Sequence, residues 1–548
     1  MRLFAFAVSF TIGVIGAVSC TPVKKCTPAN CTGCCTAADA CDTDGNTAMS
    51  CGKGGALCDR CVGAQLCTAG VCQGGTGVGG GSGGGTSGGG AAGGGSSGTE
   101  FTGTYQELWG WDGDGGRTAT LTNFDRANVG VWYRDGGTFD YVRGFGNADG
   151  TFVVREVPAG EITLRLDRRY FVTTLRRVSF DTFNGGRRDA PQATDETLLR
   201  LTMRGLEPIN ANTNRAGVFF TQASGAVTNL ENVARPVTPA GATSIESDLD
   251  WAAVSSALGY GLPDSTKGDL GFALQYRTTV TDAGSDTTLI RSATFGALTM
   301  ANGGTTDAIA DLTAPTTQPL TLAFDKAAFT ALRGSFGRDT TAGDFGVQVA
   351  TSPSPAPHRY VGQASLSIAS ALSVETAPTP TLDVPAAFPA SWGRAVFAYY
   401  LVDQRRSPTD GGTPTIFNGG VTMTDAPEAF MGSVTPRLTP VRGTQIEGRN
   451  FIEDQTGITT TPTLAWMAPT TGTVSSYRVS INRLDTSGDV AELWRLYTPN
   501  IGVTLPPGIL VAGNAYVFEL EALSFGQGGV SFTLPYAYSN VVSGVLRP

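Results

Sequence analysis

The residues best equipped for chemistry in this chain are eleven cysteines, all near its start: Cys20, Cys26, Cys31, Cys34, Cys35, Cys41, Cys51, Cys58, Cys61, Cys67 and Cys72. The ten from Cys26 to Cys72 fall within 47 residues that hold few large apolar side chains, Leu57 and Leu66 among them. So short a segment cannot bury enough apolar surface to fold unaided, and paired sulfurs are expected to hold it. Spacing does not give the pairing. Cys31-Thr-Gly-Cys34 and Cys58-Asp-Arg-Cys61 leave tetrahedral zinc as the alternative. Zinc would leave Cys35, Cys41, Cys51, Cys67 and Cys72 without a role.

His358 is the only histidine, so a Ser-His-Asp triad would have to use it, and a polyhistidine metal site is impossible. It follows Ser352-Pro-Ser-Pro-Ala-Pro357 and reads as a solvated residue of an extended loop. Carboxylate chemistry and oxygen-ligated calcium remain open. Asp42/Asp44, Asp112/Asp114 and Asp248/Asp250 sit in suitable stretches but lack the spacing of a calcium loop. No catalytic residue, cofactor or metal is therefore assigned, with structural calcium as the alternative. Trp109 and Trp111 share one face of any strand that holds them. Buried they are core; exposed they would form a flat platform for a sugar ring.

Leu3 to Val18 is almost wholly apolar or small and follows a single positive charge at Arg2. It is too short for a membrane span and reads as the core of a signal peptide over 1–19. Ala17-Val18-Ser19-Cys20 resembles the bacterial lipobox, which implies a lipid on Cys20 and removal of everything before it. An ordinary secretory signal is the alternative. Lipidation leaves an even set of ten cysteines for the disulfide module, 20–72 with the anchor. Thr21 after the anchor cysteine implies the outer membrane.

The order C-x4-C-x2-C-C-x5-C-x9-C-G-x5-C-x2-C-x5-C-x4-C from Cys26 resembles the cysteine-rich segment of myxobacterial lipoproteins. That implies an envelope location. Residues 73–98 follow, with 16 glycines in 26 positions. Such a linker cannot repay the entropy of ordering and is expected to be a flexible coil of roughly 25–30 Å reach.

A net charge of −9 without any lysine or arginine cluster argues against nucleic acid as a partner. The expected partners are a membrane, through the lipid, and an unidentified protein or glycan ligand. Beyond the linker, short alternating stretches between Gly, Pro, Asn and Asp predict a mainly β fold of tandem β-sandwiches. Within 99–190, Asp149-Gly-Thr-Phe-Val-Val-Arg-Glu-Val-Pro-Ala-Gly-Glu-Ile-Thr-Leu-Arg-Leu166 resembles carboxypeptidase-regulatory-like sandwiches of transthyretin type. That implies a structural or adhesive module. Residues 191–432 predict one or two further sandwiches, with helices expected only at Asp325–Leu332 and Ser247–Leu258; a β-propeller is the alternative. In 433–548, Thr463-Leu-Ala-Trp466, Tyr477-Arg-Val-Ser-Ile481 and the stretch from Leu505 to Ala522 resemble a fibronectin type III domain. There Tyr516 takes the place of the corner tyrosine, although Ile509–Ala512 lengthens the usual spacing. The sequence points to a non-catalytic, lipid-anchored envelope protein that displays sandwiches for adhesion or ligand contact. The second reading is a carbohydrate-binding or carbohydrate-cleaving surface protein.

Overall fold

The computed structural model describes residues 99–112, 116–121, 129–184, 187, 189–210, 213–220, 226–229, 234–235, 239–258, 260–281, 284–338, 343–352, 364–371, 381–408, 413–485, 487, 489–525 and 534–548, with residue 32 and seven short strands between 34 and 74. The chain divides into two units, Met1–Gly95 and Ser96–Pro548. In the first, the backbone of Cys34–Cys35 pairs antiparallel with Cys41–Asp42 and parallel with Ala56–Leu57. A hairpin of Gln65–Thr68 and Val71–Gly74 sets Cys67 across from Cys72.

The second unit is mainly β, built of tandem β-sandwiches. In the first of these, Thr99–Asp112 pairs with Thr151–Val157 on one side and with Arg177–Asn184 on the other. Opposite lies a sheet of Thr138–Arg143, Val129–Asp135, Ile162–Leu166 and Arg169–Thr173, in that order. The period-two alternation of Ile162, Leu164 and Leu166 turns these residues onto Phe101, Phe152, Val154 and Phe180, forming the core between the sheets. Gly136 and Gly137 close the first hairpin at φ 55° and 93°. A two-residue turn with positive φ at both positions matches the twist of the strands it joins, and glycine takes it without strain.

The next sandwich packs Leu198–Arg204, Ile245–Asp250 and Thr305–Asp311 over Asn214–Phe220 and Gly271–Thr281. Leu199, Leu201 and Met203 point inward, while Arg200, Thr202 and Arg204 face out. Trp251 begins the helix Trp251–Leu258, and its Nε1–H donates to the carbonyl of Gly261 at 3.0 Å. The other expected helix runs over Lys326–Thr330 and is capped by Asp325, whose Oδ1 accepts the Ala328 N–H at 3.1 Å. Among the described residues no helix is long and apolar enough to cross a membrane.

In the C-terminal sandwich, Arg442–Ile446, Thr463–Met467 and Gly502–Thr504 form one sheet. Val490–Thr498, Ser476–Leu484, Ala515–Phe525 and Tyr536–Val542 form the other. Trp466 is buried edge-on to Tyr477 at 5.3 Å. Tyr516 is buried too, and its hydroxyl accepts the Val511 N–H at 2.9 Å.

The sheets are fused in an order the chain does not follow. Tyr536–Val542 pairs with Thr415–Asp425, and from there the ladder runs through Gly393–Arg406, Asp344–Ser352 and Ala364–Ala371 to Gly284–Thr294. At the other edge, Arg169–Thr173 lies parallel to Val490–Thr498, with Arg169, Tyr170 and Phe171 across from Arg495, Leu496 and Tyr497. The seam is tightened by Arg495 N–H to the Arg168 carbonyl at 3.0 Å, by Asn500 to Glu161 at 2.6 Å, and by stacked Phe171 and Tyr497 rings at 5.1 Å. The first sandwich therefore adds its strands to the last one, and both edges of the C-terminal sheet are covered, leaving neither open to stray strand addition.

Candidate functional site

The seam creates a face that neither sandwich has alone. Residues directly opposite in paired strands share a face, so the register aligns Tyr141, Trp132, Thr163 and Val172 in one row. Arg143, Gly130, Arg165 and Tyr170 make the next row, which continues across the seam to Leu496. Tyr170 and Val172 are buried against the core of the C-terminal sandwich. Trp132, Phe139, Tyr141, Arg165 and Trp494 remain half-buried at its rim.

The packing at that rim is specific. Trp132 meets Tyr141 at 4.7 Å and Phe139 edge-on at 6.3 Å. Tyr170 packs edge-on to Trp494 at 5.4 Å, and the Arg165 guanidinium lies over the Trp494 ring at 5.4 Å. Gly130 makes this possible: a Cβ there would stand 2.0 Å from the Tyr141 hydroxyl oxygen. The missing side chain lets the Tyr141 ring lie across the strand, where its hydroxyl hydrogen-bonds Arg165. Burial raises the Tyr141 pKa, and the adjacent Arg165 charge pulls it partway back. Burial pushes Tyr170 up to about 12. The result is a set of half-buried aromatic rings, Trp132 and Trp494 packed on the core among them, around one guanidinium; rings and cations of this kind stack on and hydrogen-bond ligands. Gly130→Ala should displace Tyr141 and cost about 1–3 kcal/mol, as overpacking does, measured by urea unfolding.

The residues singled out from sequence fall elsewhere. Cys20, Cys26, Cys31, Cys58, Cys61, Asp44, Asp114 and His358 lie outside the described residues, as do the side chains of Cys34, Cys35, Cys41, Asp42, Cys51, Cys67, Cys72, Trp109, Trp111 and Asp112. Asp248 pairs with Arg200 at 3.7 Å, and Asp250 caps the helix after it, accepting the Ala252 N–H at 3.0 Å. These two acids are engaged apart from each other. Among the described residues no cluster of His, Cys, Asp and Glu could hold a metal ion. Asp189 and Asp269 converge, but on the Arg187 guanidinium, at 2.6 and 3.0 Å.

Two acid pairs lie on the opposite face of the great sheet. Asp344 stands across from Leu401, two residues short of Asp403, which puts the two acids on a shared face as diagonal neighbours. Burial first and the Asp403 charge second push Asp344 up to about 6. Glu519 and Glu521 sit on one strand; Glu521 pairs with Arg478, and Glu519 accepts an N–H from Asn482 at 2.8 Å. Burial and the Glu521 charge push Glu519 up to about 7. A carboxyl whose pKa is raised on folding stabilises the fold below its unfolded pKa and loses that contribution as pH climbs through the folded one. The stabilisation contributed by Glu519 should therefore be lost between about pH 4.5 and 7. Glu519→Gln, which keeps the Asn482 bond, should gain about 1–3 kcal/mol at pH 8 and almost nothing at pH 4 in urea titrations.

Trp132, Tyr141, Arg165 and Trp494 carry no motif. The first two were within reach, because counting outward from the Gly136-Gly137 turn places Trp132 opposite Tyr141. Arg165 and Trp494 meet only through the seam.

No family model matches the chain, and no curated protein does. Similar solved structures include a streptococcal ancillary pilin, at 10% identity over 62% of this chain and 98% of that one, with a TM-score of 0.11. Another is the tetra-tandem repeat from the extending region of a large adhesion protein, at 11% identity over 80% and 99% of the two chains, with a TM-score of 0.10. A third, the BSP domain of a biofilm-associated protein, shares 8% identity over 82% and 90%, with a TM-score of 0.10. Superposition this poor assigns the chain to none of these proteins, and its chemistry rests on its own residues.

Proposed function

We propose that this chain is a non-catalytic, lipid-anchored cell-envelope protein whose β-sandwiches present a ligand-contact face, the aromatic row with Arg165 at the seam. The observation that carries this reading is the convergence of Trp132, Tyr141, Arg165 and Trp494 from two modules far apart in sequence. The Leu3–Val18 leader, Cys20 and the glycine-rich linker of 73–98 support an anchored body held off a surface. The ten cysteines from Cys26 to Cys72 then form the disulfide module. The resemblance of 433–548 to a fibronectin type III domain fits this reading, and Tyr516 accepts a hydrogen bond from Val511 in its own loop. The 99–190 sandwich suits the transthyretin-type reading.

The test is a saccharide microarray probed with the full chain. Wild type should bind a subset of glycans, and Trp132→Ala or Trp494→Ala should lose that binding while staying folded by circular dichroism. Binding unaltered by both substitutions would move the ligand elsewhere. For the anchor, Cys20→Ala should shift the protein out of the detergent phase in Triton X-114 partitioning.

The runner-up, carbohydrate cleavage, is favoured by the Asp344/Asp403 pair. Burial and the neighbouring Asp403 charge push Asp344 up to about 6, so the pair offers one protonated and one ionised acid, the two forms such cleavage needs. Release of reducing ends by wild type and its loss in Asp344→Asn would establish that reading.

A further inference from the structure

We propose that the ligand of the seam face is an acidic saccharide whose carboxylate is taken by Arg165 while an adjoining ring stacks on Trp132 or Trp494. The proposal rests on the ligand-contact reading above and names the chemical class of that ligand. Three observations carry it.

First, Arg165 is a half-buried cation whose charge is not answered. Its Nε–H donates to the backbone carbonyl of Asp167 at 3.3 Å, and its other partner is the neutral Tyr141 hydroxyl. Among the described residues no carboxylate lies within ion-pair distance of it. Arg187, Arg437, Arg478 and Arg495 each have a carboxylate partner, whereas Arg165, like Arg176, is held by backbone and neutral partners. Glu161, an acid at the seam, is hydrogen-bonded by Asn500.

Second, the guanidinium is held in place. The Trp494 ring lies beneath it and the Tyr141 hydroxyl beside it, so its remaining N–H donors are fixed before a ligand arrives. A planar fork fixed in that way matches a carboxylate through two parallel hydrogen bonds.

Third, the local charge opposes the global one. Residues 129–177 hold eight arginines against six acids, in a chain of net charge −9. At physiological salt the field of the distant acids is screened within about 8 Å, so the local excess decides. A neutral glycan would use the aromatic rings and leave the cation unanswered. An apolar peptide would bury it at a cost.

The experiment uses the full chain and isothermal titration calorimetry with three probes: a galacturonic acid hexamer, its fully methyl-esterified form, and a galactose hexamer. The acid should bind about tenfold or more tightly than its ester, the range expected of a charge-assisted hydrogen bond. Arg165→Gln should remove that preference, so that acid and ester bind with equal affinity. Arg177→Gln, an exposed change outside the site, should keep the preference and serves as the control for loss of charge. Equal affinity for acid and ester, or an acid preference that survives Arg165→Gln, would overturn the proposal while leaving the contact face intact. Binding of none of the three would overturn both.

Discussion

Arg478→Ala should destabilise the C-terminal sandwich by about 3–5 kcal/mol, because it strands a buried carboxylate. Glu521 is 5% exposed and pairs with Arg478 through both oxygens. Alanine removes the counter-charge but leaves the acid facing Glu519 and buried Asn540. The double replacement Arg478→Met/Glu521→Leu should recover most of the loss, since apolar side chains of similar volume need no partner. Urea unfolding of the three proteins separates the outcomes. Equal destabilisation by the single and double changes would mean that packing, not stranded charge, sets the cost.

Arg187→Ala should have a comparable effect, about 3–5 kcal/mol, on the sandwich that follows it. The Arg187 side chain is 8% exposed and that of Asp269 only 1%. Asp269 also accepts the Asp264 N–H at 2.8 Å, so it anchors the loop around Asp264 as well as the connection from the first sandwich. Burial raises the Asp269 pKa even with Arg187 beside it. In the variant the folded state holds the Asp269 proton more tightly still, so stability falls as pH rises through the folded pKa. The penalty should therefore be largest at neutral pH and shrink towards pH 4. Urea midpoints measured at both pH values check this; a pH-independent loss would contradict it.

Much of the local structure was legible in the residues. Alternation at Ile162, Leu164 and Leu166 marked a strand and its buried face. Asp325 announced its helix as a cap. Trp466 and Tyr516, in the C-terminal motifs, are both buried. Each of these follows from a periodicity or a cap confined to a few residues. The seam is different. Arg169–Phe171 pairs with Arg495–Tyr497 across more than 300 intervening residues, and a parallel pairing leaves no turn signal near either strand. The face at the seam was hidden for the same reason: Arg165 looks like an ordinary outward-facing strand residue until Trp494 is brought beneath it. Sequence also drew attention to Trp109/Trp111, because tryptophans two apart are visible by eye. Trp132 and Tyr141 needed the hairpin register to be counted out.

Without the seam the aromatic row is split between two modules. Native-state hydrogen exchange on the full chain tests the seam most directly. The amides of Arg169–Thr173 and Val490–Thr498 should exchange with the same free energy and the same denaturant dependence, as one cooperative unit. Rapid exchange along Arg169–Thr173 while Ile162–Leu166 stays protected would show the edge open and contradict the shared sheet.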